Sequence, residues 1–165
     1  METKRETKRA AVFSDQKEYR YQLSRIWDES KNSVCFIGLN PSIANEHRDD
    51  NTVSKCVEQA KMLGFGSLEM VNLFAFVDTK QGKLHLVEDP IGPENDSFLI
   101  ASAKRCETVI VMWGNEGSYK GRSREILEKL RKGRKKLYCL GINSTGEPKH
   151  IGRMKYVCEI QNYEI

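Results

Sequence analysis

Four asparagines, Asn40, Asn72, Asn115 and Asn143, stand at or near the ends of short apolar runs, with Ser42, Ser144, Thr145 and His150 close by in sequence. The set is rich in amides and poor in acids. A carboxamide donates and accepts at once, which suits reading the polar edge of a heterocycle better than strong acid–base chemistry. A single asparagine is also what a turn uses to satisfy its own backbone, so it is the recurrence that singles these out. Two carboxylates, Asp49 and Asp50, precede a helical stretch, where capping of exposed N–H groups is the ordinary role and activation of a water the alternative. His150 is open between a surface histidine and a catalytic one.

The elements that must position these residues read as an alternation. Val34-Cys35-Phe36-Ile37-Gly38 is a continuous apolar run entering the tight turn Gly38-Leu39-Asn40-Pro41-Ser42, the mark of a buried strand. Three more such runs follow: Leu68 to Phe74, Thr108 to Gly114 and Lys136 to Gly141. Helical spacing predicts helices from Asn51 or Thr52 to Leu63, from about Glu94 to Arg105 and from about Arg122 to Arg131. Strands alternating with helices imply parallel pairing, a central, mainly parallel four-stranded sheet and a three-layer α/β/α sandwich. In such sheets the ligand crevice lies beyond the carboxyl ends of the strands, where the asparagines fall.

Ahead of the first of these strands, Tyr19, Leu23, Ile26 and Trp27 recur at helical spacing, and Ser14 or Asp15 would cap a covering helix running to about Lys31. Residues 1–11 read as a flexible basic tail and residues 12–165 as one domain. The stretch from Ala75 to Pro93 reads as a long irregular loop, and Tyr156 to Ile160 as an added edge strand.

Composition narrows the class. With 39% hydrophobic and 30% charged residues and no long apolar run, the chain is expected to be cytoplasmic and to make no membrane contact. Its net charge of +4 is compatible with a polyanionic partner. The densest cluster, Arg131 to Lys136, equally suits a helix C-terminus. Five widely spaced cysteines argue against a disulfide framework or a metal site, and no cofactor is expected. Phosphate-loop, dinucleotide, nucleophile-elbow and zinc-protease motifs are absent from the sequence.

The turn Gly38-Leu39-Asn40-Pro41-Ser42 resembles the water-activating loop of the mismatch-specific branch of the uracil-DNA glycosylases. Val71-Asn72-Leu73-Phe74-Ala75, Val109 to Gly117 and Leu137 to Gly146 are similar, in order, to later strands and loops of that superfamily. Gly38 to Ser42, Asp49-Asp50 with Thr52, Val71 to Ala75, Asp89 to Pro93 and Gly146 to His150 together resemble a bacterial and phage family known only as a domain of unknown function, over residues 12–152.

The resemblance implies a uracil-DNA glycosylase-like fold and a DNA or nucleotide partner. It also implies excision of a flipped, uracil-like or modified base by hydrolysis of its N-glycosidic bond. Asn40 would hold the water, with Asp50 and His150 as the other catalytic candidates. Gly38, Leu39, Pro41, Ser42, Asn72, Phe74, Asn115, Asn143, Ser144 and Lys149 would bind substrate, Phe74 by stacking on the base and Asn72 by bonding its edge. His150, Asn143 and Ser144 would face phosphates or the charge on the departing base. The superfamily's classical members carry a carboxylate in the first loop where this chain has Asn40. That departure leaves two alternatives: a non-catalytic nucleotide- or DNA-binding module with the same pocket, and a hydrolase of free nucleosides or nucleotides.

Overall fold

A computed structural model describes residues 6–78, 82–155 and 159–164. The strands are β1 (Lys8–Phe13), β2 (Arg20–Ile26), β3 (Ser33–Gly38), β4 (Ser67–Asn72), β5 (Thr108–Val111), β6 (Leu137–Cys139) and β7 (Gln161–Asn162). The helices are α1 (Asn51–Met62), α2 (Asn95–Arg105) and α3 (Arg122–Lys132). All seven strands form one sheet, in the order β1-β2-β4-β3-β5-β6-β7.

The four inner strands β4, β3, β5 and β6 are parallel, as their continuous apolar runs predict. Both faces are covered. On one, Val53, Cys56 and Ala60 of α1 lie over Val34, Phe36, Met70 and Ile110. On the other, Leu99 of α2 and Ile126, Leu127 and Leu130 of α3 lie over Ile37, Val71 and Val111. Cys35, Cys56, Cys106 and Cys139 are buried free thiols within these layers. Among the described residues no helix is long and apolar enough to cross a membrane.

The N-terminal third departs from expectation. No helix spans Ser14 to Lys31; β1 and β2 pair antiparallel, and β2 adds antiparallel to β4. Residues 8–11, expected in a flexible tail, are strand. The helical spacing of Tyr19, Leu23, Ile26 and Trp27 was coincidental with a strand whose period is broken. The register steps from Val12↔Gln22 to Phe13↔Arg20, so Tyr21 is an extra, bulged residue. Leu23 then faces α1, while Gln22 bonds Ser102 and Tyr21 stacks on Phe98, both in α2. Arg20 is turned back to the face of Leu23 and Arg25.

Within the stretch from Ala75 to Pro93, Ala75 and Phe76 donate to the carbonyls of Ile91 and Pro90, and Leu84–Leu86 forms a short 3-10 turn. Of the expected edge strand, residues 156–158 lie outside the described residues. The outer strand is β7, antiparallel to β6.

Candidate functional site

At the carboxyl ends of the parallel strands a cleft of about 40 Å³ is lined by Arg20, Gly38, Asn40, Pro41, Ser42, Asp50, Thr52, Val53, Met70, Asn72, Met112 and His150. That volume holds about three water molecules. All three catalytic candidates, Asn40, Asp50 and His150, meet there, together with Gly38, Pro41, Ser42 and Asn72.

The loop after β3 is held from two sides. The amides of Leu73 and Phe74 donate to the carbonyls of Gly38 and Leu39 at 2.9 Å, and that of Asp78 to Pro41 at 3.0 Å. These bonds extend the β3–β4 pairing past both strand ends and deliver Asn40 to the rim. The Asn40 side chain has only a 3.4 Å contact to the Pro41 carbonyl, so its amide is available to a ligand. Gly38 is required by close approach, since a Cβ there would lie 2.8 Å from Asn72 Oδ1.

From the other side, β2 supplies two buried arginines. Arg25, 1% exposed, donates from Nε to Asp49 Oδ1 at 2.9 Å and from Nη1 to the Ser24 carbonyl at 2.8 Å. Its Nη2 donates to the Asn45 carbonyl. Arg20, 2% exposed, donates from Nη1 to the Ala44 carbonyl at 3.0 Å. Its Nε–H has no partner, and neither has the Nδ2 of Asn72, 3% exposed. Burial pulls the Arg20 pKa down to about 10, against the raising effect of nearby Asp50.

Asp50 is the N-cap of α1, accepting from the Val53 amide at 2.8 Å through Oδ1. The capping role is therefore present, and it places the carboxylate in the cleft. His150 arrives through a tight loop closed by bonds from Asn143 to Glu147, Gly146 to Asn143 and Lys149 to Gly141. Glu147 anchors this loop by accepting from Trp113 Nε1 at 2.6 Å and Ser123 Oγ at 2.9 Å. Lys55 of α1 ties down the following turn through the carbonyls of Gly152 and Met154.

The Gly152 amide donates to His150 Nδ1 at 2.9 Å, which requires that nitrogen to be unprotonated. The neutral ring therefore carries its proton on Nε2. Burial, then Arg153 and Lys55, push the His150 pKa below its usual value, with Asp50 opposing.

Other candidates fall elsewhere. Phe74 is fully buried in the layer of α2 and α3, tilted against Tyr119, so the expected stacking on a base does not fit its position. Leu39 packs against the same layer. Asn115 accepts from Asn143 Nδ2 at 3.0 Å and Thr145 Oγ1 at 2.6 Å, forming an exposed cluster outside the cleft. Ser144 and Lys149 are exposed. The basic cluster lines a larger groove of about 430 Å³ with Arg131, Lys135 and Lys136 beside Leu137, the first residue of β6, at the opposite end of the sheet.

Arg20, Thr52, Val53, Met70 and Met112 are lining residues that sequence reasoning missed. Arg20 lies in a strand that read as helix, and the two methionines read only as parts of the apolar runs Leu68 to Phe74 and Thr108 to Gly114.

The chain belongs to the family described as "Protein of unknown function (DUF1643)", whose model matches residues 20–150. No curated protein and no solved structure matches it.

Proposed function

From a family description that assigns no activity, we propose that this protein hydrolyses the N-glycosidic bond of a base extruded from DNA, as a member of the uracil-DNA glycosylase-like superfamily. The observation that carries the reading is the convergence of Asn40, Asp50 and His150 on one cleft with Asn72. The cleft accommodates a water and the edge of a base, with the ring over its mouth.

In this reading Asn40 holds a water beneath the sugar C1′. The water oxygen forms the new bond to C1′ as the C1′–N bond breaks, and Asp50 takes the water's proton through Oδ2, Oδ1 being engaged by Val53. Asp50 thereby supplies the carboxylate that the first loop lacks. The base departs with the bonding electron pair. The Nδ2–H of Asn72 and the Nε2–H of His150 donate toward its developing charge. The neutral ring can make this donation because its proton is on Nε2. No residue is assigned to stacking, Phe74 being core.

The test uses single- and double-stranded oligonucleotides carrying uracil, hypoxanthine or modified pyrimidines, assayed for alkali-labile abasic sites. Asn40→Ala is expected to lower base release by about 10²-fold or more, the scale of a lost general-base or positioning group, at unchanged stability. If no substrate yields abasic sites and Asn40→Ala binds DNA as wild type does, the proposal is wrong. Release of base from free mononucleotides alone would instead favour a nucleotide hydrolase.

A further inference from the structure

The mechanism above assigns no role to Arg20, which lines the cleft beside Asn72 and Asp50 among others. Arg20 is a buried cation, and among the described residues no carboxylate forms an ion pair with it. Its Nη1 donates to the Ala44 carbonyl, while its Nε–H has no partner, and neither has the Nδ2 of Asn72. Both atoms belong to side chains at least nine-tenths buried, and both side chains line the same small space. The first turn of the twelve-residue helix α1 borders that space through Thr52 and Val53 and adds the positive end of its dipole. Asp50, the acidic residue of the cleft, has one oxygen committed to capping.

Buried donors without partners are costly unless a ligand supplies acceptors, and Asp50 acts on the Arg20 charge without forming an ion-pair contact with it. The volume limits that ligand. A cleft of about 40 Å³ favours a flat carboxylate over a bulkier tetrahedral phosphate.

We infer that Arg20 and Asn72 form a subsite for a small planar anion, a carboxylate or ionised group of that size, carried by the base that the site takes. That the anion is carried by a base rests on the function proposed above. The subsite itself does not. Two unpartnered donors on residues lining one cleft suit the two oxygens of a carboxylate, and a guanidinium favours that group over a neutral amide of the same shape.

The experiment follows the Arg20 Nε–H and Asn72 Nδ2–H₂ resonances of the full chain by ¹H–¹⁵N NMR in chloride buffer, titrating formate, acetate, acetamide and orthophosphate. Formate and acetate are expected to shift both resonances saturably. Acetamide is expected to bind about tenfold more weakly, having no charge to assist its hydrogen bonds, and orthophosphate more weakly still. Equal binding of acetate and acetamide overturns charge recognition. Tighter binding of orthophosphate overturns the carboxylate class, and no saturable shift by any anion overturns the subsite. Arg20→Gln is expected to abolish the preference for acetate over acetamide. Should that variant not fold, the wild-type selectivity still decides.

With DNA, an oligonucleotide bearing a 5-carboxylated pyrimidine is expected to bind about tenfold more tightly than its 5-carboxamide counterpart. Acetate selectivity without base release drops the glycosylase reading and keeps the subsite. Base release without acetate selectivity does the reverse.

Discussion

Replacing Arg25 by methionine removes the cation that holds the loop between Pro41 and Asp50, while the methionine stem still fills the space under β2. Arg25 is 1% exposed and satisfies Asp49 Oδ1 and the carbonyls of Ser24 and Asn45. Breaking a buried pair by deleting one partner costs about 3–5 kcal/mol, because the other charge is left behind. Here Asp49 retains 23% side-chain exposure and a second partner, Arg9 Nη1 at 3.1 Å, so water and Arg9 recover part of the loss. That places the cost at the lower end, about 3 kcal/mol. In a domain of this size each kcal/mol moves Tm by about 2–4 °C, so Arg25→Met is expected to melt about 6–12 °C below wild type. Hydrogen exchange should locate the damage: amides of residues 44–50, including the Asn45 N–H bonded to the Arg48 carbonyl, lose protection while β3 keeps it. Adding Asp49→Asn removes the orphaned charge and should restore about 1–2 kcal/mol in a double-mutant cycle. A Tm within about 2 °C of wild type, or protection lost evenly across the sheet, would refute the keystone role of Arg25.

Asp50 separates by substitution into its two roles. Asp50→Asn keeps a good N-cap and is expected within about 0.5 kcal/mol of wild type, whereas Asp50→Ala costs about 1 kcal/mol in denaturation. Both should lose base release equally; an active Asp50→Asn would confine Asp50 to capping. Gly38→Ala puts a methyl 2.8 Å from Asn72 Oδ1 and 3.6 Å from Met112 Cε. It is expected to cost about 1–2 kcal/mol by overpacking and to weaken base binding. Asn72→Ala in the same chain should relieve the stability cost, a non-additivity that unfolding curves can read. For His150, the folded-state pKa lies below its usual value, so the folded protein resists protonation. Its contribution is complete above the unfolded value of about 6.5 and is lost as pH falls below it. Tm should therefore drop more steeply below that pH in wild type than in His150→Gln, and parallel pH profiles would contradict this.

The four parallel strands and three helices were legible because strands covered on both faces carry continuous apolar runs, and helices bounded by Asp50 or Gly133 carry a stripe. The same legibility extended to part of the site. Asn40 and Asn72 stood out at strand ends, Asp50 at a helix start and His150 through proximity and the family resemblance, and they meet at one cleft. Where the reading failed, a long-range fact decided the outcome. Phe74 follows β4 as a base-stacking residue would, yet its ring turns into the α2–α3 layer against Tyr119. Asn115 and Asn143 also end strands, but they satisfy each other and Thr145 at the rim. The hairpin was hidden because Tyr21 interrupts the alternation of β2, and a strand with a bulge offers no clean period of two.

That bulge shapes the site more than any inner strand does. A parallel sheet supplies a crevice at its carboxyl ends whatever its side chains, and the amides of Asn40 and Asn72 come with it. The charge comes from outside the parallel core. Were Tyr21 paired in a regular ladder instead of bulged out, alternation would put Arg20 on the face of Gln22 and Ser24, over α2, and the cleft would be lined by amides, Asp50 and a neutral histidine. With it, Arg20 faces the cleft while Tyr21 is left to stack on Phe98 at 5.1 Å. Deleting Tyr21 therefore tests the logic of the whole hairpin. Deletion joins Phe13↔Arg20 directly to Val12↔Gln22, so the expected product keeps Arg20 on the face of Leu23 with its contact to Ala44 and its selectivity for acetate over acetamide, and loses only the stacking on Phe98. A deletion variant that folds but loses that selectivity would show that the unbroken ladder does not hold Arg20 on the cleft face.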